Sequence, residues 1–198
     1  MFQVRIHGRG GQGVVTGAEM LSIAAFLEGK HAQAFPSFGS ERTGAPVVAF
    51  CRIDDKEIRL REPIMQPDAL IIQDPTLLHQ VDVLSGLKQA EGYILINTNR
   101  SFEELGLGEF VKAMRHDRLV SLPATELSLK HVGRAVPNVP LLGGFAAASG
   151  LISLASVVSA IRDKFSGKVA EGNIAAATEA YKLVHDSVKE KITEASHA

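Results

Sequence analysis

The stretch IHGRGGQGVVTGAEML, residues 6–21, crowds glycine directly behind a run of apolar residues. Within it Gly8-Arg9-Gly10-Gly11-Gln12-Gly13 satisfies G-x-G-x-x-G, between a strand-like and a helix-like segment. Glycines there let the backbone turn sharply and approach a ligand closely. The helix that follows offers unpaired N–H groups and a partial positive charge. Phosphate binding is the chemistry this arrangement suits; a tight turn without a ligand is the alternative. Gly17, four residues after Gly13, is expected to let the helix lie close against a sheet.

A second polar stretch, PSFGSERTGAP at 36–46, carries Ser37, Ser40, Arg42 and Thr43 around Gly39 and Gly44. A dinucleotide site usually has Asp or Glu at the end of the second strand, about 20 residues on, for the ribose hydroxyls. Here that strand ends Ala34-Phe35-Pro36-Ser37, and the first acid beyond it, Glu41, sits beside Arg42. An arginine in this place favours an additional phosphate, as on the adenosine end of NADP or coenzyme A. Arg42 can hold a phosphate bidentately while Ser40 and Thr43 supply hydroxyls. It can equally pair with Glu41 or another surface acid, and both readings stay open.

The remaining reactive side chains have plainer explanations. His7 ends the first strand and reads as a core-edge histidine. Cys51 lies inside a predicted strand and reads as a small buried hydrophobe. Asp74 before Pro75 is a helix cap, and Asn97 and Asn99 fit turn chemistry. Asn138, between Pro137 and Val139, is either an N-cap or a ligand or interface contact. His116, His131, His185 and His197 show no metal-ligand spacing, and no nucleophile elbow is visible.

The elements that must position these residues follow from periodicity. Residues 2–7 alternate as a strand, 14–28 read as a helix with Gly29 as its C-cap, and 31–35 as a short strand. VVAFCRI (47–53), the turn Asp54-Asp55-Lys56 and EIRLRE (57–62) predict a hairpin. DALIIQ (68–73) and YILINT (93–98) are continuous apolar runs, as strands buried on both faces require. Asp74-Pro75 and the capping-box pair Ser101/Glu104 mark helix starts between strands. LVSLPAT (119–125) is a further strand, and 138–194 reads as helices broken near Gly167 and Gly172. The expected fold is a single α/β domain over 1–198. It is a Rossmann-like, mostly parallel sheet with helices on both faces, an inserted β-hairpin and C-terminal helices.

Composition narrows the function classes. A net charge of −1 supplies no field to attract nucleic acid or an anionic membrane. The apolar runs are interrupted before they reach membrane-spanning length, and no signal-like segment precedes the first strand, so a cytoplasmic protein is expected. One cysteine excludes an internal disulfide framework and a self-contained iron–sulfur cluster, which needs about four thiolates.

GRGGQGVVTGAEML followed by AQAFPSFGSERTGAPVVAFCRIDDKEIRLREP resembles the gamma subunit of the 2-oxoacid:acceptor oxidoreductases, the pyruvate:ferredoxin oxidoreductase family. PNVPLLGGFAA (137–147) resembles that family's later Asn-containing apolar segment, so the likeness covers essentially the whole chain. The resemblance implies a subunit that is not catalytic alone, in a complex that decarboxylates a 2-oxoacid on thiamine diphosphate with magnesium. Electrons pass through iron–sulfur clusters to ferredoxin, and acyl-coenzyme A is released. It assigns thiamine diphosphate to alpha and beta subunits and the clusters to a delta subunit. To this chain it assigns a share of the coenzyme A site, at Gly8, Arg9, Gly10, Gly11, Gln12, Gly13, Ser40, Arg42 and Thr43. This sequence agrees with that division, because it lacks both a Gly-Asp-Gly run for thiamine diphosphate and cluster cysteines. Pyruvate is the expected substrate, with 2-oxoglutarate or another 2-oxoacid as the alternative. A stand-alone nucleotide-binding Rossmann module is the alternative of a different class.

Overall fold

A computed structural model describes residues 1–37 and 43–196. Phe2–Arg9 forms β1. Val4 and Ile6 fall on one face of it and Arg5 and His7 on the other. All four are buried, so both faces of this strand are covered. Val14–Leu27 forms α1, which ends with Gly29 in the left-handed region at φ 79°. The other strands are β2 (His31–Pro36), β3 (Pro46–Asp54), β4 (Ala69–Ile72), β5 (Tyr93–Asn97) and β6 (Leu119–Leu122). They form one six-stranded sheet in the order β2-β3-β1-β4-β5-β6. β1, β4, β5 and β6 run parallel, and β3 lies antiparallel to both β1 and β2.

The mixed, mostly parallel sheet matches expectation, and an antiparallel hairpin does intrude. Its arms are β2 and β3, not 47–53 and 57–62. β3 is paired along both edges, so no edge remains for 57–62 to join. That segment instead crosses the face that carries Arg5 and Arg52. Arg52 Nη2 donates to the Glu62 carbonyl at 2.6 Å, and Arg5 Nη1 to the Ile64 carbonyl at 3.4 Å. Two buried guanidinium groups therefore fasten irregular backbone to the sheet.

Full-length helices gather on one face. α1, α3 (Ala124–Val132), α4 (Asn138–Ser149), α5 (Leu154–Lys164) and α6 (Gly167–Ser196) enclose a core that includes Ile6, Ile71, Leu95 and Phe145. The opposite face, with Leu70, Ile72, Ile94 and Phe102, is covered by a 3-10 turn at Pro75–His79, the one-turn helix α2 (Gly108–Val111) and loops. Helical cover on both faces therefore holds only in this abbreviated form. The Ser101/Glu104 capping box does form, with bonds of 2.7 and 3.2 Å. Gly106 at φ 77° then stops the turn before a helix develops.

The expected break near Gly172 does not occur, and α6 runs through it. A Cβ at 172 would lie 2.6 Å from the His131 carbonyl oxygen, so this glycine permits a close helix crossing. The expected break near Gly167 does occur, between α5 and α6, and a further break falls at Gly150, φ 61°, which closes α4.

His7 is buried at the edge of β1, as read from the sequence. Its Nε2 accepts from Arg5 Nε at 2.9 Å, which leaves the proton on Nδ1. Burial, and then the Arg5 guanidinium, lower its pKa to about 3. The unfolded chain therefore takes up this proton first as pH falls below about 6.5, and stability is lost from there toward pH 3. Above pH 6.5 the contribution is fully present. Between pH 7 and 4.5 this group should remove roughly 2–3 kcal/mol. His7→Gln keeps an acceptor for Arg5 but does not titrate. Urea unfolding at both pH values should show a correspondingly smaller pH-dependent loss in the variant.

Candidate ligand site at the glycine turn

β1 ends at Arg9, and the chain turns through Gly10–Gly13 into the first residue of α1, Val14. Gly11 (φ 94°) and Gly13 (φ 70°) occupy the left-handed region, which ordinary side chains avoid. The Gln12 N–H closes the turn onto the Arg9 carbonyl at 3.0 Å, and the Gly10 N–H bonds to the Ala45 carbonyl at 2.9 Å. The first helical bond is donated by Gly17, to the Gly13 carbonyl. The N–H groups of Gly11, Gly13, Val14, Val15 and Thr16 make no such bond among the described residues. They form a cluster of donors at a helix N-terminus, as an anion requires.

Three of the expected residues shape this turn rather than face outward. A Cβ on Gly8 would come within 2.6 Å of Val14 Cγ2, so Gly8 lets the helix start close to the strand. Gly17 was expected to serve that purpose. A methyl there meets its neighbours at an ordinary 3.5 Å, so the close approach belongs to Gly8. The Gln12 side chain bridges its own turn: Oε1 accepts the Arg9 N–H at 2.8 Å and Nε2 donates to Asp74 Oδ2 at 3.1 Å. Arg9 is bonded within the chain as well. Nε reaches Asp74 Oδ2 at 3.0 Å, Nη1 the Gly44 carbonyl at 3.1 Å, and Nη2 both Thr76 Oγ1 at 2.7 Å and Gln80 Oε1 at 2.9 Å.

Asp74 is the N-cap expected from sequence, accepting from the Thr76 N–H and hydroxyl at 3.0 and 2.6 Å. Burial pushes its pKa up, yet the bonds from Thr76, Gln12 and Arg9 outweigh that and hold the carboxyl below its usual range. It is thus both cap and counter-ion.

Thr43 lies beside the turn, as expected: it bridges to Gly10, and the Gly44 N–H donates to the Gly10 carbonyl at 3.1 Å. Ser40 and Arg42 lie outside the described residues. Asn138, left open between cap and contact, ties α4 to the turn. Its Nδ2 donates to the Gly13 carbonyl at 3.1 Å and its Oδ1 accepts the Val139 N–H at 2.9 Å. Asn97 likewise joins strand ends, donating to the Gln73 carbonyl and to Thr125 Oγ1, both at 2.8 Å.

Two clefts flank the turn. One of about 310 Å³ opens between Arg9, Gly11, Gly13, Thr16 and Val47. The other, of about 380 Å³, opens over the carboxyl ends of β4 and β5, between Gln12, Asp74, Asn97, Thr98 and Thr125. This is the edge of a parallel sheet at which such folds bind ligands. Cys51 is fully buried in β3, where burial pushes its thiol pKa well up, so it offers neither a nucleophile nor a metal ligand. Among the described residues no cluster of three or more His, Cys, Asp or Glu is placed to hold a metal ion, and no helix is long and apolar enough to cross a membrane.

The likeness to known proteins extends over nearly the whole chain. The family described as pyruvate ferredoxin/flavodoxin oxidoreductase matches residues 3–183. The common gamma subunit of the pyruvate/ketoisovalerate oxidoreductases of Pyrococcus furiosus is 49% identical over 181 residues, 91% of this chain and 96% of that one. The crystal structure of subunit PORC of a pyruvate oxidoreductase from Thermotoga maritima superposes with a TM-score of 0.78. Its identity is 33%, over 91% of this chain and 95% of that one. A 2-oxoglutarate:ferredoxin oxidoreductase from Magnetococcus marinus, solved with 2-oxoglutarate, coenzyme A and succinyl-CoA bound, shares the fold alone. Its TM-score is 0.73 at 14% identity, over 94% of this chain and 31% of that one.

Proposed function

The chain belongs to the pyruvate ferredoxin/flavodoxin oxidoreductase family, and from that premise we propose that its glycine turn supplies a phosphate-binding part of a coenzyme A site. The chain is a gamma subunit of a 2-oxoacid:ferredoxin oxidoreductase acting on pyruvate, or on the related ketoisovalerate, as its relatives' names describe. Alpha and beta partners carry thiamine diphosphate and magnesium in this reading, and a delta partner carries the iron–sulfur clusters. Those groups supply decarboxylation and electron transfer to ferredoxin. This chain binds and orients the acyl acceptor.

The observation that carries the coenzyme A assignment is the cluster of backbone N–H donors of Gly11, Gly13, Val14, Val15 and Thr16, flanked by clefts and free of any acceptor among the described residues. A diphosphate is an acceptor-only group that suits such a cluster at a helix start. Ser40, Arg42 and Thr43 belong to the same proposed site, and Thr43 stands against Gly10.

Gly11→Ala tests the reading. Nothing lies within 4 Å of a Cβ at this position, so the change costs only the strain of φ 94°. An ordinary residue loses about 1–2 kcal/mol there, and the turn relaxes away from its donor geometry. In the assembled complex the KM for coenzyme A should rise about 5- to 30-fold, while the KM for the 2-oxoacid stays within about twofold. An unchanged coenzyme A KM would remove the turn from the site.

A further inference from the structure

We infer that Arg9 is a positioning residue of this site rather than a contact of the ligand, and that its partner Asp74 is the charge it has to cancel. The inference rests on the reading that an anion binds the glycine turn. Four donor bonds from one guanidinium join three segments: the loop entering β3 through Gly44, the end of β4 through Asp74, and the 3-10 turn through Thr76 and Gln80. β1, which carries Arg9, is the fourth. The backbone bonds between Gly10 and residues 44 and 45 lie directly beside this clamp. Removing the Arg9 side chain would therefore leave the second loop held to the first by those backbone bonds alone.

The charges make the same point. Asp74 accepts four hydrogen bonds, two from Thr76 and one each from Gln12 and Arg9, and so stays a carboxylate. It lies one side chain away from the turn, through Gln12. The pair is largely out of solvent, with side-chain exposures of 21% for Arg9 and 15% for Asp74. A carboxylate so placed would repel a phosphate on the neighbouring N–H groups unless a cation neutralised it. Arg9 does so at 3.0 Å. A phosphate that took Arg9 for itself would have to break these bonds and leave Asp74 bare. The clamp is net neutral, and attraction for the ligand is left to the backbone.

The test is coenzyme A affinity of the assembled complex by isothermal titration, beside steady-state kinetics. Arg9→Met should weaken binding about 10-fold or more, because it loosens the loop and exposes the Asp74 charge. Asp74→Asn removes the charge but leaves Arg9 bonded to Gly44, Thr76 and Gln80, so it should bind within about twofold of the unaltered complex, or more tightly. The double variant Arg9→Met/Asp74→Asn should recover most of the loss, with the change falling on the KM for coenzyme A and not on kcat. A double variant no better than Arg9→Met would mean that the Asp74 charge is not what Arg9 has to cancel, and the inference would fall. An Asp74→Asn loss equal to that of Arg9→Met would also overturn it, leaving a scaffold with no electrostatic part. If Arg9→Met prevents assembly, Asp74→Asn alone still decides by the direction of its effect. Insensitivity of the coenzyme A KM to Gly11→Ala, by contrast, would reject the site and not the clamp in particular.

Discussion

Gly143→Leu should cost this protein on the order of 4 kcal/mol or more, enough to populate unfolded chain under ordinary conditions. Gly143 lies in α4, the helix buried along most of its length between the sheet and α6. A Cβ there would fall 2.3 Å from the carbonyl oxygen of Ala177 and within 3.0 Å of its Cα. These are backbone atoms of α6, so no side-chain rotation relieves the clash. The two helices have to separate, which opens the core around Ala176, Ala177 and Ala180, all fully buried. Gly17→Ala is the matched control. It also adds a methyl to a buried helical glycine, but at ordinary contact distance, and the gain in helix propensity should stabilise by about 0.5–1 kcal/mol. Chemical denaturation of the two variants should shift the midpoint in opposite directions. A loss for Gly143→Leu no larger than about 1 kcal/mol would mean that α4 and α6 pack less tightly than these distances require.

The contrast between these two glycines also marks what is legible in the sequence. Burial written as a continuous apolar run is legible: β4 (Ala69–Ile72) and β5 (Tyr93–Asn97) lie within the runs at 68–73 and 93–98 that announce them. A glycine's purpose is not, because nothing near Gly143 or Gly172 in sequence reveals the helix that crosses there. The cover of the second face is hidden for a different reason. Its segments have no period, and the groups that hold them, Arg5 and Arg52, alternate along their strands like solvent-facing charges. Both are buried and bonded to backbone carbonyls. That is why 57–62, polar and apolar by turns, reads as a strand.

The candidate site divides similarly. The glycine turn is local, so its spacing and its place between strand and helix suffice to find it. The partners of Arg9 lie 35 to 71 residues further along the chain, and no spacing rule connects them. One signal was available. Arg9, Asp74 and Asn97 each stand at or just after the end of a buried strand, and parallel strands bring such positions to one edge. The same logic gives Asn138 no warning, since it begins a helix and reaches the turn only by tertiary packing.

Asn138 leads to the strongest expected effect on ligand binding. Gly13→Val should raise the KM for coenzyme A roughly 100-fold in the assembled complex, with the 2-oxoacid KM changed by less than about threefold. Two costs combine at this position. The backbone holds φ 70°, where a β-branched residue is strained by about 1–2 kcal/mol or more. The new Cβ would also lie 2.4 Å from Asn138 Nδ2, the atom that donates to the Gly13 carbonyl. Losing that bond leaves a buried amide without its partner and costs a further ~1–3 kcal/mol. Both strains act on the N–H groups of Gly13, Val14 and Val15, so they fall on the ligand and not on the remote chemistry. Gly13→Ala in an Asn138→Ala background separates the two costs. It removes the amide that obstructs the methyl but keeps the forbidden backbone angle. Recovery relative to Gly13→Ala alone would make the collision dominant. No recovery would assign the loss to backbone conformation, and Gly13 would then matter for the left-handed turn that aims the donors. A coenzyme A KM unmoved by Gly13→Val, in a complex that still assembles and turns over, would show that the phosphates bind elsewhere.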